Sequence, residues 1–326
     1  MKSKKQISIQ EAAAEIKNGD TVLITGFCFW RKPMAIVYEM VRQQKRDLHL
    51  PTVNPGIDID VLVGGGCVKI WESNYVGMEL YGKIGNNFAR AVKEGSIICE
   101  DYSHYHGVLR LQAAAMGLPF LPSFACLGTD LLNPEYDMLG QAGLRDGSNP
   151  MIPREKFKII KDPFYGDGNM VLVPAARANV CIAHVQKVGD EGTVRIDGQR
   201  FADVEAMQAA DKLIVMAEEI VPESELRLDP AANVLPGFRV DAIVECRYGG
   251  HPGGVYGCYD TDGDFVKEYV ERGSKTQEDF DRWADEWIYG VRDHAEYLDK
   301  IGAARLLKIR ANSVLKWSPS VKRGVR

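Results

Sequence analysis

Two short runs place chemistry-bearing side chains where a loop meets a helix. The first is Asn18-Gly19-Asp20-Thr21-Val22-Leu23-Ile24-Thr25-Gly26-Phe27-Cys28-Phe29-Trp30-Arg31-Lys32-Pro33. Gly26 admits a close backbone approach, and Pro33 suits the first turn of a helix over 34–41. Free amides at that helix N-terminus, with Arg31 and Lys32 beside them, describe an anion site for a phosphate. The same residues also fit an ordinary strand-to-helix connection with surface cations. The second run is Glu100-Asp101-Tyr102-Ser103-His104-Tyr105-His106. With Ser103 as N-cap, His104 and His106 fall in the first turn, where the helix dipole opposes protonation by ~0.3–1 kcal/mol. Neutral rings there would donate to a carboxylate or thioester oxygen; the alternative is surface histidines without a role. Two residues apart on a helix, they point to different faces and make a poor metal pair.

Other glycine-rich and nucleophilic motifs are weaker. Gly64-Gly65-Gly66, read as following a strand over 61–63, lacks GxGxxG spacing, and Lys69-Ile70-Trp71 reads as another strand, so no dinucleotide fingerprint is supported. A tight turn leading to Ser73-Asn74-Tyr75, close to ligand or partner, or simple turn glycines, are the readings left. There is no GxSxG elbow. Arg247-Tyr248-Gly249-Gly250-His251-Pro252-Gly253-Gly254 follows a strand over 242–245, and whether His251 touches ligand or only shapes the loop stays open.

These residues need a scaffold, and the pattern of apolar runs supplies one. Short Val/Ile-rich runs recur at 21–25, 61–63, 97–99, 170–173, 180–185, 213–217 and 242–245, each compact enough for a buried strand. Helical patterns alternate with them at 9–17, 34–41 and 105–116, the last closing at Gly117-Leu118-Pro119. Alternation of this kind predicts a three-layer, mainly parallel α/β sheet. The stretch 140–169 is irregular and reads as an excursion or sub-domain boundary. Thr276 is positioned to cap a helix whose Phe280, Trp283, Trp287, Ile288 and Val291 keep helical spacing, and Asp293 with Glu296 suggests a capping box for a second. The tryptophan stripe reads as core, with an interface as the alternative. The organisation expected is one α/β domain over 1–275 and a C-terminal helical extension over 276–326.

Composition narrows the function classes. With 326 residues, 45% hydrophobic and 26% charged, the chain can bury a large core. A net charge of −5 gives no general attraction to nucleic acid or an anionic membrane, so an acidic ligand must find local cations. Seven scattered cysteines without a CxxC pair argue against a disulfide framework or structural zinc. No signal peptide follows the N-terminal lysines and no run approaches a membrane span, so the expectation is a cytoplasmic protein without nucleic-acid or membrane partners.

The first run resembles the leading signature of family I coenzyme A transferases: Asn-Gly, apolar strand, Gly-Gly-Phe, three residues, Gly, any residue, Pro. Thr25 and Arg31 replace its first and third glycines. The Arg31-Lys32-Pro33 variant is similar to the alpha (A) subunit of the glutaconate CoA-transferase branch. The resemblance continues in order through Glu100-Asp101-Tyr102-Ser103, Ala113–Phe120, Gly192–Ile196, Glu218-Glu219-Ile220, Ser274–Asp281 and Glu296-Tyr297-Leu298. It implies the CoA-transferase fold and ping-pong transfer of coenzyme A between an acyl-CoA and a carboxylic, glutaconate-like dicarboxylic, acid. The family's nucleophilic glutamate lies in a Ser-Glu-Asn-Gly-like motif of the beta half; here Ser224-Glu225 continues as Leu226-Arg227. A beta partner is therefore expected to supply the nucleophile, in a hetero-oligomer of α2β2 size or larger, with no catalytic residue or metal site on this chain. Gly26, Phe27, Arg31 and Lys32 are expected near coenzyme A, which acts as substrate and not as a resident cofactor. Ser73, Tyr75, Ser103, His104 and His106 are expected near the acid. The rival is a carbon–carbon hydrolase or acyl-CoA decarboxylase on the same fold; further off is a non-enzymatic ligand sensor.

Overall fold

The computed structural model describes residues 5–322. Its strands are, in chain order, β1 Val22–Ile24, β2 Leu48–Leu50, β3 Val68–Ser73, β4 Ile98–Asp101, β5 Phe120–Ser123 and β6 Lys158–Lys161. After these come β7 Asn169–Pro174, β8 Ala178–Gly189, β9 Val194–Arg195, β10 Ala210–Val221, β11 Asn233–Leu235 and β12 Ala242–Glu245. β12, β10, β8 and β1 lie side by side in parallel, and β2, β3 and β4 do the same. A parallel bridge from Thr21 to His49, with the His49 N–H donating to Asp20 O at 3.0 Å, joins the two groups. The parallel path is therefore β12-β10-β8-β1-β2-β3-β4. β9 and β11 extend the far end of β8 in antiparallel pairing.

Side-chain alternation explains the layers. Val22 and Ile24 join one apolar cluster with Val180, Ile182 and Ile36, whereas Leu23 joins Cys181 and Ala183 in a second cluster across the sheet. Strands covered on both faces read as unbroken apolar runs, which is why they were legible. Ser8 and Glu11 cap the helix Ile9–Ala14 reciprocally, and Thr276 with Asp279 does the same for Gln277–Ala284. Phe280, Trp283, Ile288 and Val291 enter the same cluster as β1, so the stripe is core. Asp293 caps His294–Ile301, but Glu296 turns to the Arg292 N–H at 2.5 Å and leaves the box unclosed.

Two readings are corrected. Residues 61–63 belong to the helix Ile57–Gly64, and the glycine triplet closes it, with Gly66 left-handed at φ 65°. Every residue of that helix is buried, so its apolar run has no polar face to reveal the helical period. The irregular stretch is also larger than expected: β5, β7 and β6 form an antiparallel sheet beginning at Phe120. Pro122 and mixed polarity hid β5, an edge strand that tolerates proline. Glu100 on β4 fastens this sub-structure: its buried carboxylate accepts the Leu139 N–H at 2.9 Å and pairs with Lys156 at 2.5 Å. All seven cysteines are free thiols. Among the described residues no helix is long and apolar enough to cross a membrane.

Candidate functional site

Strand order points to the site before any motif does. The chain winds outward from β1 through β2 and β3 to β4, then returns to the other side of β1 and winds outward through β8, β10 and β12. The reversal lies between β1 and β8, and in open parallel sheets ligands bind in the crevice beyond the strand ends at such a reversal. The loop after β1, residues 25–31, occupies that position.

Backbone strain gathers at the same place. Cys28, Arg31, Asn54, Glu79 and Phe201 all have positive φ without being glycine, at 48°, 52°, 57°, 49° and 50°. They come from four connections yet meet: Cys28 N–H donates to Asn54 O at 3.0 Å, and the Cys28 thiol to Glu79 Oε1 at 3.0 Å. Phe27 stacks on Phe201 at 4.9 Å, and the Arg31 guanidinium lies 5.1 Å over the same ring. Left-handed conformations cost of order 1–3 kcal/mol each and cluster at functional sites.

The loop is not the anion nest that its spacing suggested. Arg31 is 1% exposed and pairs with Asp203 at 2.6 Å; Lys32 is 0% exposed and pairs with Asp58 at 3.1 Å. The Gly26 N–H donates to Asp203 Oδ1 at 2.8 Å, while Phe27, Trp30 and Arg31 bond to loop carbonyls and Gly254. Burial raises the Asp203 carboxyl and Arg31 opposes that shift. Both head groups and the Gly26, Phe27, Cys28, Trp30 and Arg31 amides are therefore committed inside the protein. Arg31 and Lys32 are corrected from phosphate ligands to internal fasteners, and Gly26 and Phe27 shape the crevice wall.

The acid-side residues divide. Ser73 ends β3 and its hydroxyl donates to Asn74 Oδ1 at 3.0 Å. Asn74 in turn lies 3.4 Å from His104 Nδ1, and Tyr75 stands beside them, half exposed. Ser103 caps its helix by accepting the His106 N–H at 3.0 Å. His106 is the exception: its ring is buried 5.0 Å from Phe157, facing the excursion, and burial pushes its pKa down against the opposing pull of the Ala125 backbone carbonyl. A side chain on that helix face is turned into the protein, so His106 is corrected to a core residue. Asn74, Glu79 and Asn54 were not singled out from sequence; Asn74 lay inside a quoted run, but left-handed backbone at Asn54 and Glu79 leaves no signal there. His251 shapes its loop: Tyr297 OH lies 2.6 Å from Nδ1 and Asp262 3.2 Å from Nε2. Among the described residues no His, Cys, Asp and Glu cluster could hold a metal.

Comparison with known proteins agrees with this fold. The family model for coenzyme A transferase matches residues 6–246. The chain is 38% identical over 307 residues to the A-type subunit of glutaconate CoA-transferase from Acidaminococcus fermentans, covering 94% of each. The crystal structure of that organism's glutaconate coenzyme A-transferase superposes with a TM-score of 0.91 at 37% identity, over 96% of this chain and 98% of that one. The A-type subunit of 3-oxoadipate CoA-transferase from Pseudomonas knackmussii is 31% identical over 92% of this chain and 99% of its own. A decarboxylase, AibA/AibB, has a similar fold, with a TM-score of 0.71 and 26% identity over 88% of this chain and 98% of that one.

Proposed function

Because the chain belongs to the coenzyme A transferase family, we propose that it is the A-type subunit of a two-subunit CoA-transferase. The enzyme moves coenzyme A between an acyl-CoA and a carboxylic acid, the acid being glutaconate-like and dicarboxylic. Identity of 38% across 94% of the A-type chain of a glutaconate CoA-transferase is the observation that carries this reading. The α/β body over 1–275, with the helices of 276–326 packed on it, presents the crevice between β1 and β8 to a B-type partner in an α2β2 or larger assembly.

The partner's glutamate attacks the thioester carbonyl, and coenzyme A leaves as the thiolate to form a mixed anhydride. The thiolate then attacks the glutamyl carbonyl, releasing the first acid and leaving coenzyme A on the enzyme. The acceptor acid reverses the sequence. Splitting one acyl exchange into such steps lowers each barrier. This chain's residues bind and orient. Asn74 donates to His104 Nδ1, which leaves the Nε2–H to meet the acid's carboxylate. Tyr75 and the loop over 25–31 wall the crevice, and Ser103 holds the helix that presents His104.

Reconstitution with a B-type partner tests the reading. Hydroxylamine or borohydride should trap a partner carboxylate only after acyl-CoA is added. His104→Ala should raise the acid's KM more than it lowers kcat. No trapped carboxylate, together with a collapse of kcat in His104→Ala, would favour the decarboxylase or hydrolase chemistry instead, since acid–base groups contribute about 10²- to 10⁴-fold in rate.

A further inference from the structure

The hairpin of β6 and β7 ends in a tip that the fold leaves bare. Residues 162–168 read Asp-Pro-Phe-Tyr-Gly-Asp-Gly, and Phe164 and Tyr165 are 82% and 93% exposed, with ring centroids 6.3 Å apart. The turn beneath them is built. Asp162 N–H donates to Gly168 O at 2.9 Å and closes it. The Asp162 carboxylate accepts the Phe164 and Tyr165 N–H groups at 2.9 and 3.2 Å, and Lys161 Nζ donates to Asp167 O at 2.9 Å. An aspartate that bonds the backbone two residues on fixes a turn locally. Aromatic side chains on an ordered turn have little freedom left to lose on binding, and aromatic rings are typical anchors of protein interfaces.

Topology sets where the tip points. After the helix His104–Ala115 the chain turns at Gly117, where Leu118 N–H donates to Ala113 O at 2.8 Å, and β5 runs back along that helix. Ala125, just past β5, has its carbonyl toward His106 in the first helical turn. Ser123 on β5 stands opposite Val171 on β7, so Val171 is level with that first turn. β7 and β6 continue past this level to the pair Asn169 and Lys161, about 7 Å at about 3.4 Å per residue, and the tip lies beyond them. The hairpin therefore overhangs the edge that carries His104 and Tyr75. Tyr105 in the first helical turn and Phe124 at the end of β5, both exposed, continue the aromatic surface from the tip to that edge.

We infer that the 162–168 tip is an arm that grips the B-type partner, with Phe164 and Tyr165 seated in an apolar recess of the partner's surface beside the shared crevice. The inference rests on the two-subunit reading. The B-type chain is the occupant, in place of a second copy of this chain, because its glutamate has to arrive at the edge that the tip overhangs.

The affinity of the two separately purified subunits is measured by calorimetry, wild type against Phe164→Ser/Tyr165→Ser, so that no turnover is needed. The double variant should bind the partner at least about tenfold more weakly. Its own melting temperature should match wild type, because both side chains lie outside the core. Asp162→Ala keeps both rings but frees the turn, and should weaken binding by a smaller factor. At saturating partner the KM values for acyl-CoA and acid should stay unchanged, and hydrogen exchange over 162–168 should slow in the complex. Unchanged partner affinity of the double variant, in a complex that transfers coenzyme A, overturns the arm alone. A raised substrate KM at unchanged partner affinity also overturns it, since the tip would then cover substrate. So does sedimentation showing the isolated wild type as a dimer and the double variant as a monomer, which would assign the rings to a second copy. Weakened partner binding in a complex that proves to be a decarboxylase or hydrolase would uphold the arm and sink the transferase reading alone.

Discussion

Arg31 and Lys32 adjoin in sequence but enter different layers of the fold, one meeting Asp203 and the other Asp58. Removing one member of a buried pair leaves the other charge without compensation. Arg31→Ala is therefore expected to lower stability by roughly 3–5 kcal/mol, read by urea or thermal unfolding. Replacing both partners with apolar side chains, Arg31→Met with Asp203→Leu, should recover most of that loss. A melt like wild type for Arg31→Ala, with only the acyl-CoA KM raised, would mean that the head group faces ligand after all. Gly26 is a second test at this scale. Its φ is +91°, and a Cβ would collide with the Trp30 and Arg31 carbonyl oxygens. Gly26→Ala should cost more than about 1 kcal/mol and lower kcat/KM for every CoA ester, whatever the acyl group. Full activity would show that the loop does not wall the crevice.

The C-terminal helices are held by a buried element-to-element link with its own pH dependence. His251 lies between Tyr297 and Asp262, and Arg305 pairs with the same Asp262. Burial pushes the His251 pKa down from 6.5, against the Asp262 carboxylate. The geometry suits the neutral ring, with Nε2–H donating to Asp262 and Nδ1 accepting from Tyr297. For a histidine whose folded pKa is lowered, the unfolded chain binds the proton more readily. The stability is present above pH about 6.5 and is lost as pH falls toward the folded value. Asp262 extends the window downward: burial would raise it, but His251 and Arg305 hold it at about 2, so its contribution fades between about pH 4 and 2. The melting temperature should therefore fall from pH 7 to pH 5, and His251→Gln should flatten that slope. An equally steep slope in the variant would place the titrating group elsewhere.

The whole molecule presents an edge that is unfinished on its own. Tyr75, Leu80, Tyr105 and Phe124 follow β3, open the helix after β4 or follow β5, and are 48%, 82%, 56% and 61% exposed. Apolar surface gathered beside a candidate site marks an interaction face, and the A-type chains to which this one is similar belong to two-subunit enzymes. The isolated chain is accordingly expected to show no CoA-transferase activity, with activity appearing when a B-type partner is added. Hydrogen exchange over 74–82 and 104–107 should slow in the complex. Appreciable turnover by the isolated chain, contaminants excluded, would contradict the division of labour proposed here.

Local patterning determined a good part of this protein. The runs at 21–25, 180–185, 213–217 and 242–245 became β1, β8, β10 and β12 because strands covered on both faces need continuous apolar residues. Ser103, Thr276 and Asp293 capped their helices because capping depends on residues three apart along the chain. The similarity to CoA-transferases was equally legible, since it rests on ordered motifs. What spacing could not decide was direction. Whether Arg31 and Lys32 face solvent depends on Asp203 and Asp58, which are remote in sequence and reach them only when the layers close. His106 is core because the excursion places Phe157 over it. Phe164 and Tyr165 overhang the site edge only because β5 and β7 run back along the helix after β4. Burial and charge pairing are properties of surfaces brought together over long sequence separations, and the tertiary structure alone assembles them.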